Sequence, residues 1–179
     1  MLSENFKNKK SILRAKTAPG FTLVEVLVVL FIVSFGLVGI LSLIVQNIQS
    51  QNYNKNGLVA YQLAQEGNEL IRRVRDSNWK AGVKFDTGLE DDNYIMDYQD
   101  SLPIHYGGNL SETKLKKDQA GFYVHDSNLT TDSGFTRLFR ISSSTSNMLR
   151  INSVVTWTDK DKYYSYNLES LLYDWYPNQ

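Results

Sequence analysis

The residue whose chemistry stands out in this chain is Glu25, the only charged residue between Phe21 and Val45. Every other residue of that run is apolar, glycine, serine or threonine. An ionised carboxylate is costly in apolar surroundings, and such residues within membrane segments are usually functional and paired. The chemistry expected of Glu25 is therefore an ion pair with a positive group at a similar depth.

The run itself offers no cation for this pair, because it contains no Lys or Arg. A cut between Gly20 and Phe21 would create one, the new α-amino group of Phe21. Pro19 disfavours helix at the residue before it, and Gly20 adds no side chain, so the cut site is expected to be extended and accessible. The alternative is local: Glu25 lies in the first helical turn, where the dipole favours negative charge and the side chain can snorkel to the interface.

The apolar run is long enough to cross a membrane. As a helix, residues 21–45 would span about 37 Å, against a bilayer core of roughly 30 Å. A cleavable secretory signal has a shorter apolar region and an A-x-A site, and neither is present here. The flanking charges predict a cytoplasmic N-terminus and an exported C-terminal part, by the positive-inside rule. Basic residues before the run are Lys7, Lys9, Lys10, Arg14 and Lys16, opposed by Glu4, and the first one after it is Lys55.

The hexapeptide Gly20–Glu25, with its basic leader and long apolar helix, resembles the signal of the type IV pilin and type II pseudopilin superfamily. The resemblance implies that a prepilin peptidase cleaves between Gly20 and Phe21 and N-methylates Phe21. It also implies that Glu25 pairs with the terminal amine of an adjacent subunit during filament assembly, and that the partners are other pilins and a membrane assembly platform. The segment Gly57–Trp79 looks more like PilV-type minor pilins. Two departures are the lack of a proline near Ser42 and of any cysteine.

The fold expected is α+β, a long N-terminal helix packed on a C-terminal antiparallel β-sheet. The predicted parts are a leader at 1–20, a membrane and assembly helix at 21–45, an amphipathic continuation at 46–78 and a β-rich exported head at 79–179. We expect the helix to run over 21–75 and to be solvated, or frayed near Gly57, where the sequence is polar. An apolar stripe at helical spacing predicts the face that packs on the sheet. Its residues are Ala60, Leu63, Ala64, Gly67, Leu70, Ile71 and Val74.

Glycine-punctuated β-rich runs predict the strands. They are Tyr94–Tyr98, Gly121–His125, Phe135–Ser142, Leu149–Trp157 and Tyr163–Leu172. Alternation from Leu149 to Trp157 points one face at the helix, and Thr158–Lys162 is expected to be a hairpin loop. The lysine-rich region Thr113–Gln119 is expected to be a surface loop.

Other chemistry-bearing residues favour no catalytic or metal-binding function, and no cofactor is expected. His105 and His125 lack ligand spacing, and the acidic cluster around Asp86 and Glu90–Asp92 lacks a calcium-loop pattern. The arginines at 72, 73 and 75 are expected to favour the helix C-terminus, with Glu69 pairing to Arg73. The C-terminal aromatics are interpreted as core, with a carbohydrate surface as the alternative.

The function predicted is a minor pilin that is not an enzyme, anchored in the inner membrane and then built into a type IV filament. A type II secretion pseudopilin is one alternative. Another is a tip subunit that binds DNA or surfaces through Lys114, Lys116 and Lys117. Loss of residues 1–20 would remove five of 19 basic residues and one of 19 acidic ones, which leaves a net charge of −4. That argues against a strongly basic nucleic-acid surface. An unprocessed, signal-anchored enzyme is a further alternative, without a catalytic constellation to support it.

Overall fold

The computed structural model describes residues 20–126 and 128–176, in which one helix precedes seven strands. The chain divides into two compact units that meet between Asn47 and Ile48. We call the described residues 20–47 the first unit and 48–176 the second unit. The elements are α1 (Leu23–Lys80), β1 (Asp92–Ile95), β2 (Ile104–His105), β3 (Lys114–Lys117), β4 (Tyr123–Val124), β5 (Asp132–Thr145), β6 (Met148–Asp159) and β7 (Lys162–Tyr173). The α+β class predicted from the sequence is confirmed.

Helix α1 is longer than the predicted 21–75 and has no break at Gly57. Fraying near Gly57 was therefore a wrong prediction, whereas the predicted solvation holds for residues 46–55, which are exposed. The helix ends in a Schellman motif, with bonds from Val83 N to Asn78 O (3.1 Å) and from Gly82 N to Trp79 O (3.1 Å). Gly82 has φ 69°, a left-handed conformation that glycine adopts without steric cost.

The seven strands form one antiparallel sheet within the second unit. Strands β5, β6 and β7 are a meander, and β6 pairs with both of its neighbours. The other edge of β5 is shared, since β3 pairs with its first part and β1 with its later part. Strand β2 adds to β1, and β4 adds to β3. The β6–β7 turn is tighter than the expected Thr158–Lys162 loop, because Asp159 and Lys162 are already paired.

The long C-terminal strands were predicted well and the short ones poorly. Strands β5, β6 and β7 each contain their predicted range, and β1 and β4 overlap theirs. The surface loop predicted at Thr113–Gln119 is wrong, because Lys114–Lys117 is strand β3, with Leu115 fully buried. Strand β2 was not predicted.

The apolar stripe of α1 covers the sheet as expected, and all seven of its residues are buried. Six of them belong to two hydrophobic clusters of the core. Leu70, Ile71 and Val74 pack with Phe139 and residues of β1, β6 and β7, whereas Ala60, Leu63 and Ala64 pack with Leu115, Phe135, Val155 and Trp157. Gly67 lies between the two groups on the helix. A Cβ placed on it would collide with the ring of Phe139 and lie 2.8 Å from Ser153 Oγ, so a side chain has no room here.

A buried arginine on the sheet forms a hydrogen bond and an ion pair with the helix. Arg137 on β5 is fully buried and donates to Leu63 O (3.1 Å) and Met96 O (2.8 Å). Glu66 supplies the counter-charge, with its Oε1 3.2 Å from Arg137 Nη1. Burial lowers the pKa of Arg137, and Glu66 opposes that shift. A buried guanidinium is stable only when it is paired and hydrogen-bonded in this way.

Candidate functional site

The three residues predicted to carry the chemistry lie together at the start of α1. Gly20 and Phe21 precede the helix, and Glu25 is in its first turn. The side chain of Phe21 is 81% exposed. Residues 1–19 of the predicted leader, including the five basic ones, Glu4 and Pro19, lie outside the described residues.

Thr22 caps the helix, a role that the sequence reading missed. Its Oγ1 accepts a hydrogen bond from Glu25 N at 3.2 Å, and its carbonyl accepts from Val26 N at 3.2 Å. The T-x-x-E spacing of Thr22 and Glu25 is that of a capping box, and this signal was readable from the sequence. The cap fixes where the helix begins, and so fixes Glu25 as the fifth residue after the cut site predicted between Gly20 and Phe21.

The Glu25 carboxylate has no hydrogen-bond or ion-pair partner among residues 20–126 and 128–176. The nearest basic residue after it in the sequence is Lys55, thirty residues on. No cation within the described residues therefore neutralises Glu25. In apolar surroundings an unpaired carboxylate would be expensive.

The first unit is an apolar helix that buries nothing within the described chain. Its residues are all exposed, and an 18-residue window of α1 with few charged residues has none of its surface buried. Among the described residues, α1 is the one helix long and apolar enough to span a membrane. Ser34 Oγ donates to Leu30 O (2.7 Å) and Ser42 Oγ donates to Val38 O (3.0 Å). These bonds satisfy both hydroxyls within the helix, so the two serines leave no unpaired donor in the apolar span.

The histidines have structural contacts rather than a shared site. His105 Nδ1 lies 2.9 Å from Asp92 Oδ2, and the Asn93 amide together with His105 lowers the pKa of Asp92. His125 donates through its backbone to Asp97 Oδ2 (2.9 Å). Burial, reinforced by the Arg137 charge, lowers the pKa of His125 to about 4. Across the part of the chain that the structure describes, no group of three or more His, Cys, Asp or Glu could hold a metal ion.

The arginines near the end of α1 have separate roles. Glu69 pairs with Arg72 at 2.6 Å, so the predicted Glu69–Arg73 pair is wrong. Arg73 instead donates to the carbonyls of Tyr98 and Asp100. Arg75 lies over the Trp79 ring at 4.4 Å and bonds to Asp76. Each guanidinium is therefore used locally.

The three lysines of the basic candidate surface lie on β3 and are also engaged. Lys114 pairs with Asp132 at 3.7 Å, Lys116 Nζ donates to Leu129 O, and Lys117 lies 5.1 Å from the centre of the Tyr123 ring. These contacts draw the lysine charges toward the protein's own groups, which weakens the case for a free basic patch.

Comparison with protein families assigns the N-terminal region. Residues 16–41 match the model of the prokaryotic N-terminal methylation motif. The match covers Gly20, Phe21 and Glu25, together with most of the apolar run, as far as Leu41. Neither the search of the curated proteins nor the search of the solved structures returned a match.

These findings define the class of the chain at its coarser level. It carries the prepilin-type signal shared by type IV pilins and type II pseudopilins. Its long N-terminal helix and its antiparallel sheet, packed against the later part of that helix, make a pilin-like α+β architecture. The motif and the architecture support a type IV pilin-like or pseudopilin precursor, a class of structural proteins, and the apolar helix fits a membrane anchor.

Proposed function

We propose that the chain is the precursor of a PilV-like minor pilin, cleaved between Gly20 and Phe21 and N-methylated at Phe21. The matched methylation motif, which runs through the cut site and into an exposed apolar helix, is the observation that carries the proposal. The mature helix assembles with other pilin subunits on a membrane platform. The head, residues 79–179, stays outside the membrane.

The assembly chemistry proposed is an ion pair between Glu25 and the Phe21 amine of an adjacent subunit. Thr22 accepts from the backbone N–H of Glu25, and among the described residues the carboxylate makes no reciprocal bond to Thr22 N, so Thr22 caps the helix start without it. Methylation leaves the amine charged. Two unit charges about 4 Å apart attract by roughly 4 kcal/mol at an effective dielectric constant of about 20. That attraction offsets the cost of keeping a carboxylate in an apolar interface, and it selects one register between neighbouring helices.

The membrane topology proposed is a single pass through the inner membrane with the N-terminus in the cytoplasm. It is supported by five basic residues before the span against none between Phe21 and Asn54. Cleavage removes all five, which frees the helix to leave the membrane from its cytoplasmic end. A type II secretion pseudopilin would use the same motif and the same pair, in a shorter periplasmic filament.

The first prediction concerns processing. Mass spectrometry of the membrane-extracted protein should show methylated Phe21 at the N-terminus. Gly20→Val should abolish cleavage, because the added branched side chain blocks the peptidase at the bond it cuts. Gly39→Val is the matched control: a Cβ there also meets nothing within 4 Å, yet the residue lies away from the cut.

Normal mature protein from Gly20→Val would refute the cut site. An intact N-terminus on protein recovered from working filaments would refute processing altogether.

The second prediction concerns Glu25. Glu25→Ala should still be cleaved, but its incorporation into sheared filaments should fall about tenfold or more, a factor equal to ~1.4 kcal/mol per decade. Glu25→Asp keeps the charge and should retain more incorporation than Glu25→Gln, which keeps the size. Incorporation of Glu25→Ala at the wild-type level would show that the carboxylate has only a local role at the helix start.

A further inference from the structure

Strand β7 forms a long edge of the sheet. Among the described residues it pairs only with β6, and the register from Asp159↔Lys162 to Met148↔Tyr173 contains no bulge. Proteins usually protect an edge strand by making it short, bulged, proline-containing or charged. β7 has 12 residues, no proline and two charged side chains, Lys162 and Glu169. Its outer side is therefore open to a further strand.

The turn before β7 decides which of its backbone groups point to that open side. Lys160 and Asp161 form a two-residue hairpin turn, and both have positive φ (47° and 63°). The pair that flanks such a turn, Asp159 and Lys162, is hydrogen-bonded, and bonded pairs alternate with non-bonded ones along an antiparallel ladder. Even-numbered residues of β7 therefore bond to β6, whereas odd-numbered residues direct both N–H and C=O outward. The odd-numbered residues are Tyr163, Ser165, Asn167, Glu169, Leu171 and Tyr173.

The space beside this edge is not filled by the helix. A groove of about 540 Å³ lies between β7 and α1, and the strand lines it with Leu168 and Ser170. On the helix side the lining is polar, and its Glu69 already pairs with Arg72. The groove leaves room for a strand to lie along β7 without meeting α1.

The sequence of β7 is complementary to itself in one antiparallel register. When Leu168 lies opposite Leu168 of a second copy, Tyr163 lies opposite Tyr173 and Lys162 lies opposite Asp174. Aromatic pairs and opposite charges across two strands both stabilise their pairing. The same register brings together two of the exposed rings of the strand, since Tyr163 is 71% exposed and Tyr173 is 48% exposed.

Other registers fit less well. A shift by one residue is excluded, because residues directly opposite each other point to the same face of a sheet. A shift by two residues in one direction places Glu169 opposite itself, which is destabilising, and in the other direction it places Tyr173 opposite Asp161 of the turn. In the register centred on Leu168, about six pairs with two bonds each give about twelve backbone hydrogen bonds. That number is close to the roughly ten direct bonds of a typical protein interface.

We propose that β7 joins two copies of the chain, whose β7 strands pair antiparallel about Leu168 so that their two sheets become continuous. The contact uses the second unit alone and does not depend on cleavage after Gly20 or on Glu25. Its two-fold axis is normal to the sheet, so it reverses the direction of the part of α1 that lies on the sheet. Subunits within one helical filament share a direction. In the filament of the proposed function, on which this last step rests, the contact therefore joins two filaments.

Disulfide cross-linking tests the register, because the chain contains no cysteine of its own. Full-length Leu168→Cys and Ser170→Cys are purified in detergent and oxidised, and the covalent dimer is measured on non-reducing gels. Both positions are half-buried on the helix-facing side of β7, so they are matched. Two copies of residue 168 would have Cα atoms about 4.5 Å apart, within disulfide range, whereas copies of residue 170 would be about 13 Å apart along the strands. We expect at least five-fold more dimer from Leu168→Cys.

A second pair of variants tests the antiparallel direction on the opposite face of the strand. Tagged Ser165→Cys mixed with untagged Leu171→Cys should give the mixed dimer, because residues 165 and 171 lie opposite each other in this register. Each variant alone should stay monomeric. In the Leu168→Cys background, Ser165→Pro removes one outward N–H and no bond to β6, so it should lower the yield at least five-fold, whereas Ser165→Ala should not.

Equal dimer yields from Leu168→Cys and Ser170→Cys overturn the proposal, because parallel pairing or unspecific collision would link both positions. Absence of the mixed dimer of Ser165→Cys and Leu171→Cys overturns it as well. A disulfide from position 168 to a different protein in cell membranes, without a dimer of the chain, would assign the edge to another partner. The precursor and the cleaved chain should give the same yields, so none of these outcomes bears on the cut site or on Glu25.

Discussion

The two units use apolar residues on α1 in opposite ways. In residues 23–47 apolar side chains cover every face of the helix, and all of them are exposed. In residues 60–78 the apolar side chains form one stripe, and the sheet covers it. A helix that is apolar on all sides needs an apolar surrounding, whereas a striped helix needs only one partner layer. The comparison teaches that the second unit has its packing partner within the chain, and that the first unit must find one in lipid or in other subunits.

The largest predicted difference between the two units comes from truncating one isoleucine in each and measuring the free energy of unfolding. Ile71 is fully buried in the core, and Ile32 is 64% exposed. Ile71→Ala should lower the free energy of unfolding of the second unit by about 4 kcal/mol, because it removes buried surface and leaves a cavity. Ile32→Ala should leave that free energy unchanged. Denaturant unfolding in detergent, followed by tryptophan fluorescence, measures both.

A similar loss for both isoleucine variants would mean that Ile32 is packed against the second unit, contrary to the contrast drawn here.

The two units also differ in their titratable side chains. Residues 23–47 contain one, Glu25, whereas the second unit contains the buried His125. Burial first, and Arg137 second, lower the pKa of His125 from 6.5 to about 4. The unfolded chain therefore takes up a proton at higher pH than the folded chain does. For this residue the free energy of unfolding is highest above about pH 6.5, falls by about 3 kcal/mol as the pH drops toward 4, and is constant below that.

Denaturant unfolding across this window, compared with His125→Asn, isolates the contribution. A His125→Asn slope equal to that of the wild type would show that other groups cause the pH dependence.

The smallest effect is expected from two Gly→Ala substitutions, which should change stability in opposite directions. Gly67→Ala brings a Cβ into the Phe139 ring, so we expect a net loss of about 1–2 kcal/mol despite the better helix propensity of alanine. Gly36→Ala meets nothing within 4 Å and should raise helix stability by up to ~1 kcal/mol. Circular dichroism of detergent-solubilised variants follows the helix, and tryptophan fluorescence follows the second unit. Stabilisation by Gly67→Ala would contradict the close helix–sheet approach.

Local patterns were strong enough to predict the apolar run, the stripe from Ala60 to Val74 and the last three strands. The apolar run follows from its length without charge, and the stripe and the strands follow from periods of 3.6 and two residues along the chain. The capping-box spacing of Thr22 and Glu25 is an equally local signal that the sequence carries. Strand β3 was hidden, because lysines flank Leu115 and charge runs normally indicate a solvated loop.

The sequence by itself determined the methylation motif, the lone carboxylate in an apolar helix and the helical face that meets the sheet. All of these follow from residue type and spacing along one element. Only the tertiary structure decided that Arg137 is buried against Glu66 and that His125 is buried within reach of the Arg137 charge. It alone also decided that Gly67 touches Phe139. These contacts join residues far apart in the chain, and burial of a charge depends on partners that no local pattern specifies.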